Sequence, residues 1–171
     1  LIAIEVLKRQ FVWISLGFLA LLAGFFLFPL TRSVSGQQFE DFFEPYPIPT
    51  NSTVQSNQLN WLAGVAQYRQ EQYGSSIAFF RAARREGGLP PWMIEFYLAQ
   101  AWMATGRSDS AVGCLEEVLQ QQSGIQSLAR WYLGLAHWEV GSEEKARYHF
   151  QILNEEGGYR SHDAGTILQS F

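Results

Sequence analysis

Apolar positions in the second two-thirds of this chain recur at helical spacing, interrupted at regular intervals by Gly, Pro, Ser and Asp. The pattern predicts helices over about 57–71, 74–86, 91–105, 108–122, 126–140 and 143–155, with a last one over 159–171. The helices come in pairs, and the pairs repeat. Small residues Gly64, Ala99 and Gly134 lie 35 apart (99 − 64, 134 − 99). The same step relates Trp61, Phe96 and Trp131; Tyr68, Met103 and Trp138; Ser76, Ala111 and Ala146; and Phe80, Leu115 and Phe150. Glu86-Gly87-Gly88 recurs two steps later as Glu156-Gly157-Gly158. Within a pair, Gly106 stands before Ser108-Asp109 and Gly141 before Ser142, so the second helices are expected to be capped by Ser or Asp.

Before residue 57 the pattern is different. Residues 11–30, FVWISLGFLALLAGFFLFPL, carry no charge, and twenty such residues make about 30 Å of helix, enough to cross a bilayer. The expected span runs from Phe11 to Leu30. Trp13 suits an interfacial anchor, and Gly17, Ala20 and Gly24 offer a small-residue stripe to a neighbouring helix. A cleaved signal peptide is the alternative, but the run exceeds the usual apolar core of ~7–15 residues. Lys8 and Arg9 precede the run and Arg32 follows it, which places the N-terminus in the cytoplasm and the repeats outside. The first residue is Leu1 rather than Met, which suggests that the numbering starts inside a longer or processed polypeptide.

Residues 31–56 read as an extended linker. Pro45, Pro47 and Pro49 forbid a helix across Tyr46 and Ile48. Phe39, Phe42, Phe43, Tyr46 and Ile48 are too apolar for a solvated tether, so they lie on the bilayer surface or pack on the repeats or a partner. The domain layout is therefore 1–30 juxtamembrane and transmembrane helix, 31–56 linker, 57–158 three repeats (57–88, 89–123, 124–158) and 159–171 capping helix. Tyr159, Ala164, Ile167, Leu168 and Phe171 are positioned to cover the last repeat.

Helix pairs at this period resemble the tetratricopeptide repeat family. Leu133-Gly134, Gly141, Ala146 and Phe150 carry the resemblance best. Leu98-Ala99, Gly106, Ala111 and Leu115 follow, then Gly64, Tyr73, Ser76, Phe80 and Ala83, where the turn glycine is missing. The resemblance implies an all-α fold, a right-handed α-solenoid of three pairs, and a docking role. One departure stands out. The family's large aromatic slot holds Asn60, Glu95 and Arg130, and Trp61, Phe96 and Trp131 come one residue later, where the family usually faces its groove. Trp61, Tyr68, Phe96, Gln100, Met103, Trp131, Leu135 and Trp138 are thus the candidate partner-binding residues, with a groove or a core as their two possible settings. Val65, Gln100 and Leu135 at the next groove position argue against a carboxylate clamp. The layout is also similar to single-span envelope proteins of Bacteroidota with an acidic aromatic segment, here Phe43-Glu44-Pro45-Tyr46-Pro47, ahead of such repeats.

Composition narrows the chemistry. Net charge is −4 with no basic stripe, which argues against nucleic acid. The one cysteine, Cys114, sits at an apolar helical position and is expected to be buried and inert. His137, His149 and His162 are 12 and 13 residues apart (149 − 137, 162 − 149), unlike a helical metal pair. No phosphate loop or nucleophile triad stands out. The expectation is a non-enzymatic scaffold or adaptor of the inner membrane, with periplasmic repeats and no cofactor or small-molecule substrate, that docks onto another subunit of an envelope complex. A regulatory, anti-sigma-like membrane protein and a membrane-tethered chaperone are the alternatives.

Overall fold

The computed structural model describes residues 39–49, 58–121 and 123–171, all within one compact unit, Gln37–Phe171. The expected span at 11–30 lies outside the described residues. Among those residues, no helix is long and apolar enough to cross a membrane. The described chain is all-α, without strands. One helical turn at 39–42 leads into an extended run to residue 49. Then come α1 (Leu59–Arg69), α2 (Tyr73–Glu86), α3 (Pro91–Ala104), α4 (Ser108–Gln120), α5 (Gln126–Glu139), α6 (Glu143–Glu156) and α7 (Ser161–Leu168). Each helix packs substantially on the one before and after it.

The 35-residue step is visible in the helix boundaries. First helices end at Arg69, Ala104 and Glu139, and second helices begin at Tyr73, Ser108 and Glu143. The turns between them are copies of one another. In each, one residue adopts a left-handed conformation and two backbone amides return to the end of the preceding helix. Gly106 (φ 70°) donates to Met103, and Arg107 donates to Trp102. Gly141 (φ 78°) donates to Trp138, and Ser142 donates to His137. This pair of bonds closes the orphan carbonyls of a helix end. The first turn makes the same two bonds, with Glu71 (φ 59°) where the others have glycine. The missing turn glycine therefore changed a residue and left the geometry intact.

Side-chain capping is the expectation that fails. None of these seven helices has a side-chain N-cap hydrogen bond. Ser142 occupies the N-cap of α6 without using its hydroxyl, and the Ser108 hydroxyl turns away to donate to Glu139. The backbone bonds of the turns close the end of the preceding helix, and the second helices start without a side-chain cap.

Packing inside a pair explains the small residues. A Cβ on Gly64 would lie 2.6 Å from the Phe80 ring, and one on Gly134 would lie 2.7 Å from the Phe150 ring. The middle pair has Ala99 at that position and the slimmer Leu115 opposite. Small and large side chains are thus matched across each pair, which is what close packing requires. At the far end, Ala164 and Ile167 of α7 are buried, and α7 packs on α6. Phe171 closes over Trp138 and Phe150, at ring distances of 5.6 and 6.3 Å. Tyr159 does not join that cap. It precedes α7 and meets the Tyr46 ring edge to face.

Candidate functional site

Trp61, Phe96 and Trp131 are each 1% exposed. Their inner sides meet the core: Trp61 on Phe80 (5.1 Å) and Trp131 on Phe150 (5.6 Å), with Phe96 on Tyr97 (5.3 Å) and Tyr132 (5.8 Å). The outer sides of the second and third are covered by the chain's own residues 39–49. Phe42 packs on Trp131 (6.4 Å) and Trp138 (6.2 Å), and Tyr46 packs on Phe96 (5.7 Å). These rings therefore lie in the core, which residues 39–49 help to close. Phe39 and Ile48 are buried in the same cluster, while Phe42, Phe43 and Tyr46 are half-buried against it.

The segment is also held through its backbone. Pro45, Pro47 and Pro49 have no N–H, so this stretch presents chiefly carbonyls, and those need donors. Three tyrosine hydroxyls supply them: Tyr132 to the Glu44 carbonyl (2.8 Å), Tyr68 to Tyr46 (2.9 Å) and Tyr97 to Pro47 (3.3 Å). Two arginines serve the ends. Arg160 donates to Phe42 (3.0 Å), and Arg69 donates to Ile48 (3.4 Å) and Pro49 (3.0 Å). The Tyr46 amide donates to Gln100 Oε1 at 3.1 Å. Burial pushes the Tyr68 and Tyr132 hydroxyls well above their ordinary range and Tyr97 to about 12. All three therefore stay protonated and keep donating at neutral pH. Arg160 is fixed from three sides. It also lies 5.3 Å over the Trp131 ring and pairs with Asp163 at 3.3 Å, from a left-handed backbone (φ 53°).

The sequence-derived candidates divide accordingly. Tyr68, Phe96, Gln100, Trp131 and Trp138 touch the segment directly. Trp61, Met103 and Leu135 are buried in the cluster beneath. The residues that sequence reasoning passed over are Tyr97, Tyr132, Arg69 and Arg160, while Tyr159, expected in the cap, meets the segment at Tyr46 instead. Tyr97 and Tyr132 share one register position, next to the aromatic stripe, and a hydroxyl repeated inside an apolar stripe was the available signal.

Other polar groups are buried elsewhere. Glu95, 2% exposed, pairs with Arg84 at 3.1 and 3.2 Å. Burial and then Glu95 push the Cys114 thiol up to about 12, which keeps it protonated. His137 and His149 come together from α5 and α6 with rings stacked at 5.6 Å, and neither Nδ1 has a hydrogen-bond partner. Burial lowers both imidazoles. His149 falls to about 4, with the charges of His137, Arg130 and Lys145 adding to burial. Among the described residues no group of three or more His, Cys, Asp or Glu is placed to hold a metal ion.

Comparison with protein-family models, with curated proteins and with solved structures finds no match. The fold itself is all-helical, with adjacent helices packed in pairs, as a helical repeat requires.

Proposed function

We propose that this chain is a non-enzymatic scaffold of the tetratricopeptide type, mounted on a membrane through residues 11–30. In this reading its aromatic face docks a segment of another subunit of an envelope complex. The N-terminus lies in the cytoplasm and the repeats in the periplasm. The observation that supports the reading most is the seat of residues 39–49. Three tyrosine hydroxyls and two arginines address carbonyls of an extended, proline-rich stretch, while Phe96, Trp131 and Trp138 receive its rings. Backbone hydrogen bonds with aromatic pockets for side chains are a general way of binding peptides. Residues 39–49 act as the resting occupant, and a partner segment of similar chemistry takes their place.

Crosslinking mass spectrometry on native membranes tests this with the full chain. The expected result is crosslinks from residues 39–49 and the α3 and α5 faces to one recurrent partner protein, reduced by Gln100→Ala with Tyr132→Phe. A chain that extracts alone, with no crosslink from that face to any other protein, overturns it.

A further inference from the structure

The first helix pair shows a face that the other two pairs hide. Leu59, Leu62, Ala63 and Ala66 are at i, i+3, i+4 and i+7, so they share one side of α1. Phe79 of α2 is also exposed, at 36%. One step on, the same five positions are Ile94, Tyr97, Leu98, Ala101 and Cys114; two steps on, Ala129, Tyr132, Leu133, Ala136 and His149. All ten are at most 9% exposed. In those pairs a second helix precedes and packs on the first, α2 on α3 and α4 on α5, and residues 39–49 also meet Tyr97 and Tyr132. No second helix precedes α1 among the described residues, and Leu59 is 71% and Leu62 40% exposed. The face is thus composed like an interior interface, and no described helix covers it.

We propose that α1 is a two-fold interface between two copies of this chain. Two features select a second copy. The first is size order along the stripe. Its N-terminal half is large (Leu59, Leu62) and its C-terminal half small (Ala63, Ala66). Two α1 helices crossing antiparallel about a point between Leu62 and Ala63 set Leu59 against Ala66 of the second copy and Leu62 against its Ala63. Every large side chain meets a small one, twice over, as an isologous contact demands. None of the four is ionisable, so no like charges face each other across the axis. The second feature is the opposite end of the stack. There α7 and Phe171 cover the last pair, so copies cannot add head to tail, and pairing through α1 closes at two. This inference stands independently of the docking role of the aromatic face.

The test uses the full chain in detergent micelles, with mass measured by light scattering during size exclusion. A two-copy species is expected. Leu62→Glu should abolish it while leaving the helical content unchanged, since Leu62 is exposed in the single copy, and the melt should fall only by the stabilisation that pairing supplied. Ala66→Leu should weaken association roughly tenfold by overpacking, and adding Leu59→Ala should restore it by reversing large and small. Leu62→Cys should oxidise to an interchain disulfide near the axis, whereas Tyr148→Cys, exposed on α6, should not. A single-copy mass at every concentration overturns the proposal. So does a two-copy species that survives Leu62→Glu, because its contact lies elsewhere, for instance in residues 11–30.

Discussion

The Tyr132 hydroxyl donates to the Glu44 carbonyl at 2.8 Å, joining positions 88 residues apart. With Tyr68 and Tyr97 it forms a row of phenols aimed at one extended stretch. Tyr132→Phe removes a single donor and keeps the ring that packs on Phe43 and Phe96. The expected loss is about 1 kcal/mol in the holding of the segment. Amide hydrogen exchange should show faster exchange confined to the region of residues 39–48, with the helices unchanged. Equal loss of protection throughout α3 and α5 would show that the hydroxyl supports the repeats rather than the segment.

The match between Gly134 and Phe150 gives a coupled prediction. Gly134→Ala adds a methyl 2.7 Å from a fully buried ring, so a cost of about 1–3 kcal/mol is expected despite the better helix propensity of alanine. Phe150→Leu alone opens a cavity. Together they reproduce the Ala99–Leu115 combination of the middle pair, and the double variant should be more stable than the sum of the two single effects. A double-mutant cycle by chemical denaturation measures this, and strict additivity would mean the two positions do not touch as described.

Glu71 holds a left-handed conformation where Gly106 and Gly141 hold it at their register positions. A side chain there costs about 1–2 kcal/mol, part of which glycine returns through its freer unfolded chain. Glu71→Gly should therefore raise stability by about 0.5–1 kcal/mol, read as a higher melting temperature. Gly106→Glu should lower it. A lower melting temperature for Glu71→Gly would show that this carboxylate makes a compensating interaction.

The stacked histidines predict acid sensitivity. His149 titrates at about 4 in the folded chain, against an ordinary value near 6.5. Between those values the unfolded chain binds more protons than the folded one. The stability from keeping His149 neutral is therefore complete above about pH 6.5 and is lost as pH falls towards 4. His137, lowered in the same direction, acts with it. His149→Leu should flatten that limb of the stability–pH curve. An unchanged slope between pH 7 and pH 5 would assign acid sensitivity to other groups.

The parts of the fold that repeat were readable from sequence. A fixed step in Gly64, Ala99 and Gly134 and in their partners Phe80, Leu115 and Phe150 reflects one packing problem solved three times, and its period survives in the chain. Turn placement followed for the same reason, even where Glu71 replaced glycine. Capping was misjudged because Ser108 and Ser142 have the right identity, yet Ser108 lies one residue inside α4 with its hydroxyl on Glu139, and Ser142 makes no cap bond. The seat of residues 39–49 was only half legible. Its apolar rings announced that it packs on something. The donors that hold it read carbonyls, which every residue has, so nothing in the segment's own side chains names Tyr97 or Tyr132. Likewise His137 and His149 meet between two helices, and spacing along one helix could not bring them together.

Because residues 39–49 belong to the same polypeptide as the face they cover, their occupancy does not depend on protein concentration. A tethered ligand of this kind acts at an effective concentration on the order of millimolar. A segment arriving from another protein must first match that standing competitor, so its apparent affinity falls by the fraction of time the face is bare. Under the proposed docking role the seat would act as a threshold, favouring a partner sequence that grips the phenol row better than Phe42 to Pro49 does.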